Sequence, residues 1–422
     1  MNFKLIALTT AMTMSAAIAQ DYEDDEYEEE SAPAAQSAPA QESAPAQAAT
    51  AQDAPAAQPN GVFSVLHGDA YNMVGNEAGA ATIGGNMLSP YKMYGSNLLY
   101  VEPSGETATL ALTKGGITYL AAFDGIAAGI VDITKGLPQY DEANLRNLGL
   151  VTVGMAFSGM GFAVDFALDK TWEDTEAGDN ETSVSTTGAG DVINLKFGMN
   201  LGAFDLTANA YWLTFQDEVD TETDAQETDN DYWDLGLNVN ISNGPSAKTF
   251  FWSVGVNILR QASERIVEAG NTTTETTNDD SFFEVQPYAN IAFPVLSSDM
   301  AQVFIGTNTR LPLIFFDETA SDRSFFGLYT TPNVLAEITL NENWILYGGA
   351  NYDWKVLGYY SSETKASKTD VSEFSMRTNA PMANAGVRFQ YKNLVLEASI
   401  ADQLNSAAWA GLVGNFGMLL TF

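Results

Sequence analysis

The side chains that could do chemistry are unevenly supplied. The 422 residues hold 54 Asp and Glu against 18 Lys and Arg, for a net charge of -36. There is one histidine, His67, and no cysteine. Thiolate metal sites, disulfide staples and nucleophilic cysteines are therefore excluded. His67 has no second imidazole to share a metal with and reads as a structural or surface residue. No Gly-x-x-x-x-Gly-Lys-Ser/Thr loop, His-Glu-x-x-His pair or Gly-x-Ser-x-Gly turn occurs, and Ser158-Gly159-Met160-Gly161 is turn material. The chain is not expected to be an enzyme or to carry a cofactor.

The carboxylates fall into two groups. One is a set of acidic runs, with Glu173, Asp174, Glu176, Asp179 and Glu181 in the first. Asp217, Glu218, Asp220, Glu222, Asp224, Glu227, Asp229 and Asp231 form the second. Their spacing lacks the central glycine and terminal glutamate of a calcium loop, so no specific metal site follows. Two readings stay open for these loops: a solvated, aggregation-resistant face, or weak binding of divalent cations. Nucleic acid would be repelled.

The other group is embedded in strands of period two. Phe204, Leu206, Ala208, Ala210 and Trp212 alternate with Asp205, Thr207, Asn209 and Tyr211. The segments from Trp233, Trp252, Trp344 and Leu394 repeat the pattern. Following that phase puts Asp165, Lys196, Asp205, Asn209, Asp234, Asn238, Asn257 and Glu284 on the polar face. Gln286, Asn308, Arg310, Glu337, Asn351, Asp353, Arg388 and Glu397 join them. On a strand crossing lipid this face must turn inward, because an Arg or Lys at the bilayer midplane costs about 2–4 kcal/mol. These residues are the pore-lining candidates. Two alternatives stay open for them: lining water, or pairing across a filled interior.

Several features favour lipid over a soluble core. Many segments reach the roughly 9–11 residues that a tilted spanning strand needs. Trp212, Trp233, Trp252, Trp344 and Trp354 lie near segment ends, where interface aromatics belong. Short turns near Gly159, Leu201, Asn243-Gly244, Ser297-Ser298, Asn341-Glu342 and Lys392-Asn393 alternate with polar loops. Those loops lie at roughly 171–189, 216–230, 260–281, 316–323, 360–373 and 404–411. Counting segments with even parity gives an all-β, transmembrane antiparallel barrel of 14 strands, or 16 if Thr107–Leu112 and Gly116–Phe123 cross separately.

The chain's first part is of another kind. Lys4, the apolar Leu5–Ala17 and Ala17-Ile18-Ala19 read as a signal peptide over 1–19. Residues 20–60, acidic and then rich in Ala and Pro, have little to bury and read as a disordered periplasmic tether. Residues 61–105 lack clean periodicity and are expected to form a small plug-like segment. The barrel is assigned to 106–422.

Two resemblances bear on this. Phe416, Met418, Leu420 and Phe422 share one face of a final strand ending in phenylalanine. This resembles the C-terminal strand of bacterial outer-membrane barrels, which implies outer-membrane lipid and the barrel-assembly machinery as partners. Asn76-Glu77-Ala78-Gly79-Ala80-Ala81-Thr82-Ile83 through Ser89-Pro90 is similar to the plug region of the long-chain fatty-acid transporter family. That implies 14 strands and an N-terminal plug. The family's Asn-Pro-Ala pattern is missing here, and no ligand residue is carried over.

The resulting expectation is a porin-like outer-membrane channel for small hydrophilic solutes, with a preference for cations. The alternatives are a plugged transporter of hydrophobic compounds, and a non-conducting structural or adhesive barrel displaying acidic loops. Oligomeric state and substrate do not follow from the residues.

Overall fold

A computed structural model describes residues 89–103, 107–124, 150–177, 183–221, 226–243, 250–269, 275–298, 300–319, 321–366, 369–378, 381–403 and 415–422. The signal peptide, the tether and residues 61–88 lie outside the described residues.

The described chain is almost wholly strand. In order come β1 (Leu98–Glu102), β2 (Thr107–Lys114), β3 (Ile117–Asp124), β4 (Leu150–Phe157), β5 (Met160–Ala177), β6 (Ser183–Asn200) and β7 (Asp205–Thr221). Then follow β8 (Gln226–Ser242), β9 (Phe251–Ala269), β10 (Glu275–Ser297), β11 (Ala301–Arg310), β12 (Leu313–Asp317) and β13 (Ser321–Thr339). The last are β14 (Trp344–Asn351), β15 (Trp354–Thr364), β16 (Thr369–Thr378), β17 (Met382–Tyr391), β18 (Leu394–Gln403) and β19 (Asn415–Thr421). All pair antiparallel with their neighbours, and β1 pairs with β19 as well as β2, so the sheet closes on itself.

Three crossings are interrupted: β11 with β12, β14 with β15, and β16 with β17 each share neighbours as one broken strand. Nineteen strands less three breaks give 16 crossings. Proline explains two breaks directly, since Pro312 and Pro381 have no N–H to give to the ladder. The third, at Tyr352-Asp353, lies beside Pro332, whose carbonyl accepts from the Tyr352 N–H at 3.1 Å.

The barrel therefore has 16 strands and not 14. The count of 14 left out two short crossings, β1 of five residues and β2 of eight; the alternative of 16 had named β2 but not β1. Both fall short of the usual spanning length. Gly115 and Gly116, with φ of 63° and 78°, make the tight turn that separates β2 from β3. Of the plug-like segment expected over 61–105, residues 61–88 lie outside the described residues. Leu98–Glu102 is wall, and Ser89–Asn97 is a short strap containing one 3-10 turn, Pro90–Met93. The 14 strands and plug implied by the fatty-acid transporter resemblance are not what the described chain builds.

The acidic segments read as loops are largely strand. β5 to β10 run 17 to 23 residues. At about 3.3 Å per residue the shortest of these already spans roughly 55 Å along the strand, well beyond the hydrocarbon even when tilted. Asp and Glu are poor strand formers in isolation, but β propensity yields to pairing with a neighbour already in register. Residues 178–182, 222–225 and 270–274 lie outside the described residues.

The outward face of the lower wall is apolar and exposed: Leu195, Leu235, Ile305 and Val153 are each about half accessible. Aromatics border this band at two heights. Near the short turns stand Trp344 against Phe389 at 4.9 Å and Phe250 against Phe293 at 4.6 Å. Farther up, Trp212, Trp233 and Phe283 are exposed. An apolar belt between aromatic girdles around a closed antiparallel ring is the form of an outer-membrane barrel.

The inward face contains a repeated device. Tyr211 stands opposite Gly236, Tyr288 opposite Gly255 and Tyr347 opposite Gly386. A Cβ on any of these glycines would fall within the facing tyrosine. Each ring lies across the bare backbone of the next strand and fills interior volume. Gly236→Val should therefore destabilise the folded barrel by about 1–3 kcal/mol through overpacking. A lowered urea midpoint for the heat-modifiable folded band is the measurement; an unchanged midpoint would show that Tyr211 has room to move.

Candidate functional site

The inward polar residues are joined by register. Asp165 stands opposite Thr152 on one side and Asn194 on the other. It accepts from Thr152 Oγ1 at 2.8 Å and Asn194 Nδ2 at 2.9 Å, while Lys196 Nζ lies 2.6 Å away. Asp165 is 2% exposed. The carboxylate is surrounded by donors rather than by water.

Three strands on, Asp234 is directly opposite Gln261, whose Nε2 donates to it at 3.0 Å. Asn238 faces Asn257, donates to its Oδ1, and donates to the Tyr288 hydroxyl at 3.1 Å. Lys196, Asn209, Asn238, Asn257 and Gln286 occupy one level across five adjacent strands. Nearer the turns, Asp205 accepts from Asn200 Nδ2 at 2.9 Å, and Asn290 donates to Ser253 Oγ at 2.9 Å. Asn308 stands opposite Asn290 and Asn351 opposite Asn333.

Two arginines organise the far wall. Arg310 reaches Asp353 at 3.1 Å, and Thr331 Oγ1 donates to the same carboxylate at 2.7 Å. The Arg310 guanidinium also lies over the Tyr329 ring, 4.8 Å from its centroid. Glu284 lies within the electrostatic reach of Arg310. Arg388 Nε donates to Glu397 at 2.9 Å, and Nη1 lies 3.6 Å from Glu337. Glu337, Arg388 and Glu397 are 6%, 3% and 1% exposed.

The 16 pore-lining candidates thus share the inward face, but many meet each other rather than open solvent. Sequence reasoning missed several of the partners: Thr152, Asn194, Gln261, Ser253 and Thr331. Nothing short of the register could name them, since each lies on a different strand from the residue it serves. The inward face also holds apolar residues, among them Leu213, Phe304 and Leu335, in phase with Asn209, Asn308 and Glu337. Phe416, Leu420 and Phe422 are exposed on the outer wall, with Met418 between them half-buried.

The tall part of the wall has a different character. Register sets Asp220, Glu227, Glu268 and Glu275 in one row across β7 to β10. Asp231, Glu264 and Asp279 make another row. Like charges directly opposite destabilise a ladder. Beside these rows lies a cleft of about 700 Å³ lined by Asp231, Trp233, Glu264, Asp280, Asp317 and Lys365. Lys365 bridges Asp317 at 2.7 Å and Asp322 at 3.1 Å. That contact holds the Asp317 carboxyl below its usual range and raises the Lys365 ammonium above its own. The depressed carboxyl keeps the tie down to mildly acid pH, and the raised ammonium keeps it into alkaline pH. Among the described residues no group of His, Cys, Asp or Glu has the geometry to hold a metal ion.

No family model matches the chain, and no curated protein matches it. Among solved structures it is similar to the transport unit of the autotransporter AIDA-I from Escherichia coli, at 11% identity and a TM-score of 0.30. That match covers 63% of this chain and 90% of the other. The translocator domain of NalP from Neisseria meningitidis matches at 11% identity and a TM-score of 0.30, covering 69% and 92%. The ferric yersiniabactin receptor FyuA from Yersinia pestis matches at 11% and 0.36, covering 72% and 53%. Likenesses this distant say nothing about activity. The assignment to outer-membrane barrels stands on the closed ring and its apolar belt.

Arg388 offers a direct measure of how far the interior depends on pairing. Arg388→Met leaves two carboxylates buried without their cation and should cost about 3–5 kcal/mol. Adding Glu337→Gln and Glu397→Gln should recover most of that loss. Urea unfolding followed by tryptophan fluorescence reads both; equal stability of Arg388→Met and the parent would mean that water already reaches the cluster.

Proposed function

We propose that this chain is a closed, non-conducting outer-membrane barrel that displays a tall acidic sheet beyond the membrane. The observation that supports it is the inward face. A diffusion channel keeps its charged residues in water, where they steer ions. Here Asp165 is enclosed by Lys196, Thr152 and Asn194, and Arg388 by Glu337 and Glu397, at exposures of a few per cent. Burying charges costs several kcal/mol per ion unless they are paired and hydrogen-bonded. An interior arranged this way favours the structural or adhesive reading over free diffusion of hydrophilic solutes.

The display part is the extension of β5 to β10. With the short turns and the chain termini on the periplasmic side, the long strands carry their carboxylate rows to the outside. Rows of like charge call for counter-ions, and divalent cations are the efficient ones, bridging neighbouring carboxylates or a carboxylate and a lipid phosphate. No dedicated ligand geometry is required for this.

Planar-bilayer recording of the purified protein tests the first part. The expected trace shows no stepwise openings; stable ohmic steps with cation preference would return the chain to the porin reading. The second part is tested by unfolding with millimolar magnesium or calcium and then with a chelator. The divalent ion should raise the midpoint, and the chelator should lower it. Sodium at matched ionic strength should do less, because screening alone acts on all exposed charges. Equal effects of sodium and magnesium would leave only general screening.

A further inference from the structure

The ring is not uniformly strong. β9 and β10 meet through eighteen residue pairs, and β7 and β8 through seventeen. The closing ladder between β1 and β19 has four among the described residues: Leu98 with Thr421, Leu99 with Leu420, Tyr100 with Leu419, and Val101 with Met418. β1 adds five pairs to β2. In hydrocarbon a backbone group that loses its partner finds no water to replace it. So short a seam calls for support from elsewhere.

The support in reach is the strap Ser89–Asn97, which runs directly into β1. Ser89 is fully buried and accepts from Thr207 Oγ1 at 2.9 Å on β7. The strap lies in a notch formed by two wall glycines. A Cβ at Gly161 would come within 2.5 Å of the Tyr91 nitrogen, and one at Gly198 within 2.5 Å of Ser89 Oγ. Farther along, the Gly95 N–H donates to Thr118 Oγ1 at 2.8 Å on β3. On β2, Thr113 donates from Oγ1 to the Ser96 carbonyl and from its N–H to Asn97 Oδ1, both at 2.8 Å. The N–H of Phe422, just past β19, donates to the Asn97 carbonyl at 3.1 Å. Met93, 1% exposed, packs in one cluster with Leu98 and Tyr100 of β1 and Leu419 of β19. One side chain therefore covers both edges of the seam from within, while the strap's far end is held four strands beyond β3.

We propose that the strap Ser89–Asn97 is the latch of the barrel seam: seated in the Gly161/Gly198 notch it holds β1 against β19, and leaving the notch frees that edge to part. The latch is independent of whether the closed barrel conducts, since it concerns which ladder opens and not what passes through.

Hydrogen exchange read by mass spectrometry on the full chain in lipid vesicles tests it. Gly161→Leu fills the notch, and Thr207→Val removes the strap's far hydrogen bond while leaving the ladders intact. Both should speed exchange in the 98–102 and 415–421 peptides about tenfold or more, with the β7 and β8 peptides unchanged, as expected for a local opening. Because the chain has no cysteine, Ser89→Cys with Thr207→Cys can also be compared with itself, oxidised and reduced. The oxidised form should protect β1 and β19 several-fold more than the reduced form. Equal seam exchange in the two redox forms overturns the latch. So does a Thr207→Val chain whose seam exchanges like the parent's. If Gly161→Leu speeds exchange everywhere, it has unfolded the barrel, and the redox comparison decides.

Discussion

A peptide group in hydrocarbon has no partner except another peptide group. The rest of the structure depends on that constraint. It requires a ring, and the ring in turn requires that β1, only five residues long, join β19. Proline interrupts a crossing at Pro312 and Pro381, between strands that keep their neighbours on either side, whereas Pro287 and Pro332 stay within β10 and β13 opposite Val256 and Thr307. The exposed Leu, Ile and Phe of the outer wall follow from the same solvent. In water they would be a liability; in lipid they cost nothing, and the polar residues are the ones that must hide.

Turning the polar face inward solves one problem and creates another. Carboxylates and guanidinium groups crowd on the concave side of a sheet, where they must find water or one another. Along β5 to β10 and around Arg388 they find one another. Direct opposition across the ladder does most of this, as in Asp234 with Gln261 or Arg388 with Glu397. The tyrosines laid over glycines occupy volume that a wall of this circumference would otherwise leave open. Above the aromatic girdle the same register rule works the other way. There it sets acidic positions directly opposite one another, as at Asp220, Glu227, Glu268 and Glu275.

Membership in the barrel class, the inward phase of the polar residues and most of the short turns were legible in the chain, because alternation has a period of two and each strand announces its own face. The strand number was not. Leu98–Glu102 is too short and too apolar to differ from any packed segment until β2 and β19 are seen beside it. The acidic stretches were likewise misread as loops, since Asp and Glu disfavour strands locally and the neighbour that overrides this preference lies a whole crossing away.

The residues alone determined which side of each strand meets lipid, because that depends only on the order of apolar and polar side chains along a single segment. Which polar groups meet across the interior, and how the ring is shut, were decided by the tertiary structure. Those outcomes depend on register between strands distant in sequence, and at the seam on a strap whose partners Thr207 and Phe422 lie more than a hundred residues away.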